Sequence, residues 1–367
     1  MKWSWRVARI AGIDVFIHAT FFLLLGWIGF VHYLDRNSIV DAVVGAGFLL
    51  ALFTVVVLHE FGHAFAARLY GIQTKNITLY PIGGVARLER IPEKPAQELV
   101  VALAGPAVNL VIGLILAGVL LLLGGIQPIE SLTATEGPFL ERLLVVNLFL
   151  AVFNMVPAFP MDGGRVLRAL LAMRMSYPSA TRLAATIGQG MALLFGFVGL
   201  FVNPFLILIA VFVWVGAEQE AAMVRLRSAL AGVRVADVMV RRFQVLGPND
   251  PIATASRAIL DGFQTDFPVI ENGGLVGVLC KNDLLDALAR NQQGTIVRDV
   301  MRSRFHFAAP QQLVEQALQA VQGAECPVIP VLDGPALVGI LTAENLGEFL
   351  AFQSNQAVPP QRPSFDV

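Results

Sequence analysis

The chain has 367 residues, of which 56% are hydrophobic and only 14% are charged, with a formal net charge of -1. Because a soluble globular protein carries about 25% charged residues, this composition argues against an ordinary soluble enzyme. The near-neutral charge says little about partners, and we expect none that is a nucleic acid.

Long uncharged runs predict helices that cross a membrane. No charged residue occurs between Glu98 and Glu130 or between Arg182 and Glu218, and both runs exceed the roughly 20 residues that span a bilayer. We expect a polytopic α-helical membrane protein with six transmembrane helices. They are predicted over about residues 13–34, 39–70, 97–125, from near 140, 180–202 and 204–228.

The fourth predicted helix is broken. Pro157 and Pro160 interrupt it, and it resumes after Asp162-Gly163-Gly164. Proline removes a backbone donor, and a membrane tolerates such a break only where protein or a water-filled cavity covers it. Between the second and third helices, Gly83-Gly84 indicates short strands with a tight turn, which form a short membrane-associated β segment.

Positive charges predict the orientation of the chain. Basic residues precede the first helix, follow the second, follow the break in the fourth and follow the sixth: Lys2, Arg6, Arg9, Arg68, Lys75, Arg87, Arg90, Arg165, Arg168, Arg174, Arg225, Arg227 and Arg234. The positive-inside rule then places both termini in the cytoplasm of a multi-pass cell-membrane protein. The basic start is followed by no small-residue cleavage site, so no cleavable signal peptide is expected.

The segment His59-Glu60-Phe61-Gly62-His63 lies at the end of the second apolar helix. On a helix, residues i and i+4 share one face, so both histidines can hold one Zn²⁺ while the glutamate handles a proton of the attacking water. Ionisable side chains are costly inside a membrane and are usually functional there. The motif therefore predicts hydrolysis within a membrane, with the site toward the cytoplasm.

A catalytic zinc usually has three protein ligands and one open position. Asp162, an acidic residue at the break of an apolar helix, is the candidate for the third ligand. Its alternative role is an N-cap for the helix that begins at Gly163.

Two motifs together resemble the site-2 protease family of intramembrane zinc metalloproteases. They are the His-Glu-x-x-His segment and, about a hundred residues later, Asn154-x-x-Pro157-x-x-Pro160-x-Asp162-Gly163. Gly83-Gly84 and Gly105-Pro106-x-x-Asn109 are also similar to that family, although Asn109 is expected to be structural. The similarity extends over about residues 10–228.

The resemblance implies the roles of the site residues. His59, His63 and Asp162 would bind one zinc, and Glu60 would be the general acid/base. Asn154 would hold or polarise the scissile carbonyl; its alternative is a hydrogen bond to a neighbouring helix. The substrate would be a single-span membrane protein, such as a membrane-held regulator of transcription, and the Gly83-Gly84 region could offer it a strand edge.

The C-terminal part of the chain is a duplication. Three segments recur at one offset of 62 residues; for example, Asp237-Val238-Met239 recurs as Asp299-Val300-Met301. The repeat resembles a tandem pair of cystathionine-β-synthase (CBS) domains with α+β folds. The expected organisation is a transmembrane protease domain over 1–228, CBS domains over 233–290 and 295–352, and a disordered tail over 353–367.

The resemblance to CBS domains implies regulation by an adenine nucleotide such as ATP, ADP or AMP. Each copy keeps half of the ribose-binding pattern: Asp283 with Cys280 in the first, Thr342 with Asn345 in the second. Because a carboxylate accepts two hydroxyl hydrogen bonds and an amide oxygen only one, Asp283 is favoured over Asn345, with Thr342 as the second contact. The alternative is that this tail serves only to form a homodimer.

Cys280 and Cys326, the two cysteines, lack neighbours at metal-binding spacing and are expected to be buried, reduced thiols.

Two other functions remain open for the chain: a CBS-regulated membrane transporter or channel, for which the broken helix would suit an ion site, and an inactive scaffold. Neither gives a reason for the complete set His59, Glu60, His63 and Asp162.

Overall fold

The computed structural model describes residues 3–36, 38–81, 83–89, 92, 94–124, 137–262, 264–290, 294–321, 326 and 328–356. These residues form two compact units, Met1–Val224 and Arg225–Val367. Lys2, Arg90 and Glu130, which the sequence predictions use, and the tail beyond residue 356 lie outside the described part.

The first unit begins with strands where a helix was predicted. Strand β1 (Ser4–Ile10) pairs with β2 (Ile13–His18) in a hairpin, and helix α1 (Ala19–Arg36) starts only afterwards. The prediction of a helix from residue 13 was therefore wrong. Ile13 and Val15 bury alternate side chains along β2, a period-2 pattern that overall apolarity conceals.

A four-stranded sheet lies against the helix that carries the histidines. Strands β3 (Thr74–Tyr80) and β4 (Gly83–Leu88) extend the hairpin in the order β1-β2-β3-β4, with β2 and β3 parallel. Ile13, Val15 and Ile77 of the sheet pack against Phe61 and Ala64 of helix α2 (Ile39–Leu69). The expected strands around Gly83-Gly84 are thus present, as part of a larger sheet.

The remaining helices of the first unit follow the predicted order. They are α3 (Pro95–Leu122), α4 (Phe139–Asn154), α5 (Asp162–Ala172), α6 (Tyr177–Phe201) and α7 (Phe205–Leu230), which continues into the second unit. Within the described residues four helices, α2, α3, α6 and α7, are long and apolar enough to cross a membrane, and Ala19–Leu34 is a shorter apolar segment. The total of six spans stays a prediction.

The second unit contains two similar α+β halves. The first has α8 (Val235–Val238), α9 (Ile252–Asp261), β5 (Phe267–Glu271), β6 (Gly274–Leu279) and α10 (Lys281–Ala289). The second has α11 (Val297–Val300), α12 (Val314–Ala320), β7 (Ile329–Asp333), β8 (Ala336–Leu341) and α13 (Ala343–Gln356). Helix α13 thus continues four residues past the predicted end of the second domain.

The two halves make equivalent backbone contacts with each other. Val240 forms a bridge with Ile340, and Val278 forms a bridge with Arg302. Adding 62 to the first residue of one pair gives the second residue of the other, so each half contributes the same contact to its neighbour.

Candidate active site

Three buried side chains from two distant parts of the chain converge in the first unit. His59 and His63 lie one turn apart near the end of α2, and Asp162 is the first residue of α5. The Nε2 atoms of the histidines are 3.0 Å apart and lie 3.1 and 3.2 Å from Asp162 Oδ2. The structure therefore brings together the three residues that the sequence nominates as ligands.

The other ring nitrogen of each histidine donates a hydrogen bond. His59 Nδ1 donates to Asn109 Oδ1 at 3.2 Å, and His63 Nδ1 donates to the carbonyl of Val101 at 2.7 Å. Both acceptors belong to α3. With the proton on Nδ1, each Nε2 presents a lone pair, and such partners fix the tautomer of metal-binding histidines.

This arrangement fits a bound cation. Two imidazole lone pairs and one carboxylate oxygen face one another with no hydrogen between them, and such a cluster is repulsive unless a positive charge lies within it. Three donors around one tetrahedral Zn²⁺ at about 2.0–2.1 Å would lie about 3.3 Å apart, close to the separations found here. Two histidine nitrogens and one carboxylate oxygen are donor atoms of the types that zinc binds.

Helix α3 approaches the histidines so closely that only glycine fits at position 105. A Cβ atom there would lie 2.3 Å from His63 Nε2 and 2.6 Å from His59 Nε2. At Gly62 of α2 a Cβ atom would meet the carbonyl oxygen of Ala104 at 2.7 Å. Glycines on both helices thus allow α3 to hold the histidines directly.

The segment between α4 and α5 is packed tightly, which positions Asp162. Ala158, Phe159 and Met161 are buried. A Cβ atom at Gly163 would lie 2.3 Å from the carbonyl oxygen of Val156, and one at Gly164 would lie 2.6 Å from the nitrogen of Phe159. The first turn of α5 therefore folds back onto the segment that precedes it. The N-cap residue of this helix is Met161, so Asp162 is not its cap.

Glu60 lies between the histidines and the sheet. Its Oε2 accepts a hydrogen bond from the backbone N–H of Ala86 in β4 at 3.2 Å. A Cβ atom at Gly84 would lie 2.8 Å from Glu60 Cγ. The outer edge of β4 thus contacts the carboxylate. Asn154, half-buried, is the last residue of α4, where the helix ends before the proline segment.

A buried ion cluster fixes α5 against α3 and α7. Arg168 of α5 is 1% exposed, and its Nε donates to Glu98 Oε1 of α3 at 2.8 Å while its Nη1 donates to Glu220 Oε1 of α7 at 2.5 Å. The Tyr177 hydroxyl also donates to Glu98 Oε1, at 3.4 Å. From the sequence, Arg168 was only one of the positive charges that predict orientation; the structure pairs it inside the protein.

Comparison with known proteins decides the family. The sequence profile of peptidase family M50 matches residues 47–137 and 125–198, and that of the CBS domain matches 235–290 and 297–351. The zinc metalloprotease MJ0392 of Methanocaldococcus jannaschii is 37% identical over 302 residues, which cover 82% of this chain and 83% of that protein. The chain belongs to peptidase family M50. It is accordingly a membrane-type zinc metalloprotease with a C-terminal CBS pair.

Two further proteins are similar to this chain. A protein of Mycobacterium tuberculosis named putative zinc metalloprotease Rip3 is 27% identical over 375 residues, which cover 94% of this chain and 92% of that protein. The solved structure of the site-2 protease of Methanocaldococcus jannaschii is 40% identical in sequence. The match covers 60% of this chain and 95% of that chain, with a TM-score of 0.45.

The CBS pair of this M50 protein contains a cavity of about 770 Å³. Its walls include Thr342 and Asn345 of the second half and Arg242, Phe243 and Gln264 of the first. Asp283 is not among the lining residues. Both of its oxygens bind Arg302, Oδ2 to Nε at 2.6 Å and Oδ1 to Nη2 at 2.8 Å. The preference for Asp283 over Asn345 for a ribose contact therefore stays a prediction.

The expectation of reduced thiols was also wrong. Cys280 and Cys326 form a disulfide with Cα atoms 5.8 Å apart. Asp266 lies next to the sulfurs, and its oxygens accept hydrogen bonds from the Lys281 N–H and the Thr265 hydroxyl. The two cysteines are 46 residues apart in sequence, so no local pattern indicated their pairing.

Proposed function

We propose that the chain hydrolyses a peptide bond in or next to the transmembrane segment of a single-span membrane protein. One zinc would be held by His59, His63 and Asp162. The observation that supports this proposal is the buried convergence of the two Nε2 atoms and Asp162 Oδ2 within 3.2 Å of one another. Membrane-held regulators, such as transcription factors or anti-sigma-type proteins, are the proposed substrates.

Zinc, when bound, would supply a Lewis acid that lowers the pKa of water to about 7. The chain's own residues would handle the protons and the substrate. Glu60, on the same turn as His59 and His63, is placed to take a proton from the attacking water and return it to the leaving nitrogen. Asn154, at the end of α4, would hold the scissile carbonyl with its amide.

The substrate is proposed to bind along the edge of β4. A helical substrate hides its carbonyls in hydrogen bonds and must be extended before attack. The N–H of Ala86 at this edge bonds the Glu60 carboxylate, and an added strand could take that N–H for its own carbonyl. Docking would then free Glu60 for proton transfer at the same moment that it extends the substrate.

The proposed setting is a multi-pass protein of the cell membrane with both termini and the site on the cytoplasmic side. The CBS pair would regulate cleavage by binding ATP, ADP or AMP in the cavity beside Thr342. That cavity falls within the roughly 300–1,000 Å³ of small-molecule sites, and Arg242 supplies a positive charge for phosphate. A homodimer through the CBS pair is a further proposal.

The test is cleavage in liposomes that contain the purified chain and a tagged single-span protein. Candidate substrates come from membrane proteins that accumulate in cells with Glu60→Gln compared with wild type. We expect wild type to cleave, and Glu60→Gln and His59→Ala to lose at least about 10³-fold in rate. His32→Ala, which removes a histidine of α1 whose Nδ1 bonds the Ile28 carbonyl, is the matched control and should cleave normally.

Ion flux through the same liposomes, together with zinc retained and no substrate accumulating in the Glu60→Gln cells, would contradict the protease and favour a transporter. Equal cleavage by Glu60→Gln and wild type would remove Glu60 from the mechanism.

A further inference from the structure

The internal repeat of the CBS pair gives two equivalent positions for a ligand, and these two positions differ in the structure. The open cavity lies between Gln264 and Thr342. Adding 62 to Gln264 gives Cys326, and subtracting 62 from Thr342 gives Cys280. The two residues that face an open space in one half thus correspond to the two cysteines that are joined in the other.

The exchange of backbone bridges supports this correspondence. Val240 with Ile340 and Val278 with Arg302 are equivalent pairs. The glycine contacts match as well: a Cβ atom at Gly277 would lie 2.7 Å from Met301 Sδ, and one at Gly339 would lie 2.6 Å from Met239 Sδ. The two positions therefore share one backbone frame, and their difference lies in the side chains.

Two contacts close the second position. The disulfide joins the walls at Cys280 and Cys326 with a Cα–Cα distance of 5.8 Å, so the two side chains that would flank a ligand here are bonded to each other. Asp283, the equivalent of Asn345, is bound at both oxygens by Arg302, the equivalent of the apolar Val240. The carboxylate that suits a ribose is thus present but engaged.

We propose that the thiol–disulfide state of Cys280 and Cys326 controls whether the CBS pair holds one adenine nucleotide or two. In the oxidised chain the nucleotide occupies only the cavity at Thr342. In the reduced chain the walls separate, Asp283 turns from Arg302 to a ribose, and Arg302 with Arg304 attracts the phosphates. This inference rests on the proposed nucleotide function of the cavity at Thr342.

The redox step is a thiol–disulfide exchange. A thiolate of a dithiol reductant of the thioredoxin class attacks one sulfur, the Cys280–Cys326 bond breaks, and the second thiol of the reductant resolves the mixed disulfide. Two electrons and two protons pass to the chain, which gains two thiols, and the reductant leaves as a disulfide. Disulfides in a cytoplasmic setting are usually transient or redox-sensing, which suits the proposed orientation of the CBS pair.

The experiment measures ATP bound per full-length chain by equilibrium dialysis in detergent, after oxidation and after treatment with dithiothreitol. Mass spectrometry after alkylation counts the free thiols in each sample. We expect one ATP with no free thiol in the oxidised chain, and two ATP with two free thiols in the reduced chain. The variant Cys280→Ser with Cys326→Ser should bind two ATP in both samples.

The matched control moves the cysteine pair to the open cavity. Gln264→Cys with Thr342→Cys places cysteines at the equivalent positions, and its oxidation should abolish the remaining ATP binding, which reduction restores. One ATP in both redox states of the wild type would overturn the redox proposal and leave the nucleotide function standing. Free thiols persisting after oxidation would also overturn it. No ATP in either state would overturn the nucleotide function and, with it, this inference.

Discussion

At the scale of single residues, Asn109 and the carbonyl of Val101 determine which nitrogen of each histidine faces Asp162. The sequence identified His59, His63 and Asp162 because their types and spacing are diagnostic. It did not identify the task of Asn109, since an amide in a membrane helix is most often a helix contact. Only the fold shows that its Oδ1 lies 3.2 Å from His59 Nδ1.

Replacing Asn109 with leucine should weaken zinc binding by about 10–100-fold, because His59 loses the acceptor that fixes its ring. The measurement is zinc affinity by competition with a chelator. Asn109→Asp keeps an acceptor oxygen and should retain most of the affinity. Equal affinity in Asn109→Leu and wild type would show that this contact does not position His59.

Gly105 gives a second prediction at this scale. In Gly105→Ala the new methyl group would collide with both Nε2 atoms, so we expect kcat/KM to fall by about 100-fold. Gly118→Ala changes the same helix at a position with nothing within 4 Å of the added atom and should cleave normally. The two variants falling equally would mean that the loss comes from α3 as a whole.

At the scale of elements, the site depends on how α5 is held against α3 and α7. The break between α4 and α5 was predictable from Pro157 and Pro160, since proline ends helices by simple chemistry. The β1–β2 hairpin was not, because a strand of six or seven residues that leads into an apolar helix is not distinguished from the start of that helix by its apolar residues alone. Nor was the cluster of Arg168, Glu98 and Glu220, whose members are distant in sequence.

Arg168→Met should destabilise the first unit by about 3–5 kcal/mol, because two carboxylates lose their cation while Glu98 stays buried. The measurement is unfolding in detergent followed by tryptophan fluorescence. Adding Glu98→Gln and Glu220→Gln removes the unpaired charges and should recover much of the loss. A triple variant no more stable than Arg168→Met would indicate that the arginine acts by packing on Phe159 and Tyr177 instead.

At the scale of the whole molecule, the chain joins an M50 protease unit to a CBS pair. The duplication was evident from its offset of 62 residues, and the α+β halves follow from it. The asymmetry between the halves was only partly evident, since the pairing of Asp283 with Arg302 is seen only in the structure. The disulfide was missed because contacts between residues 46 positions apart leave no local pattern.

The zinc centre is the central claim, and X-ray absorption at the zinc edge of the full-length chain tests it most directly. Two histidines and Asp162 predict a shell of nitrogen and oxygen at about 2.0–2.1 Å with imidazole scattering. In Asp162→Ala this zinc signal should be lost. A shell at about 2.3 Å, the distance of zinc to sulfur, would contradict the account.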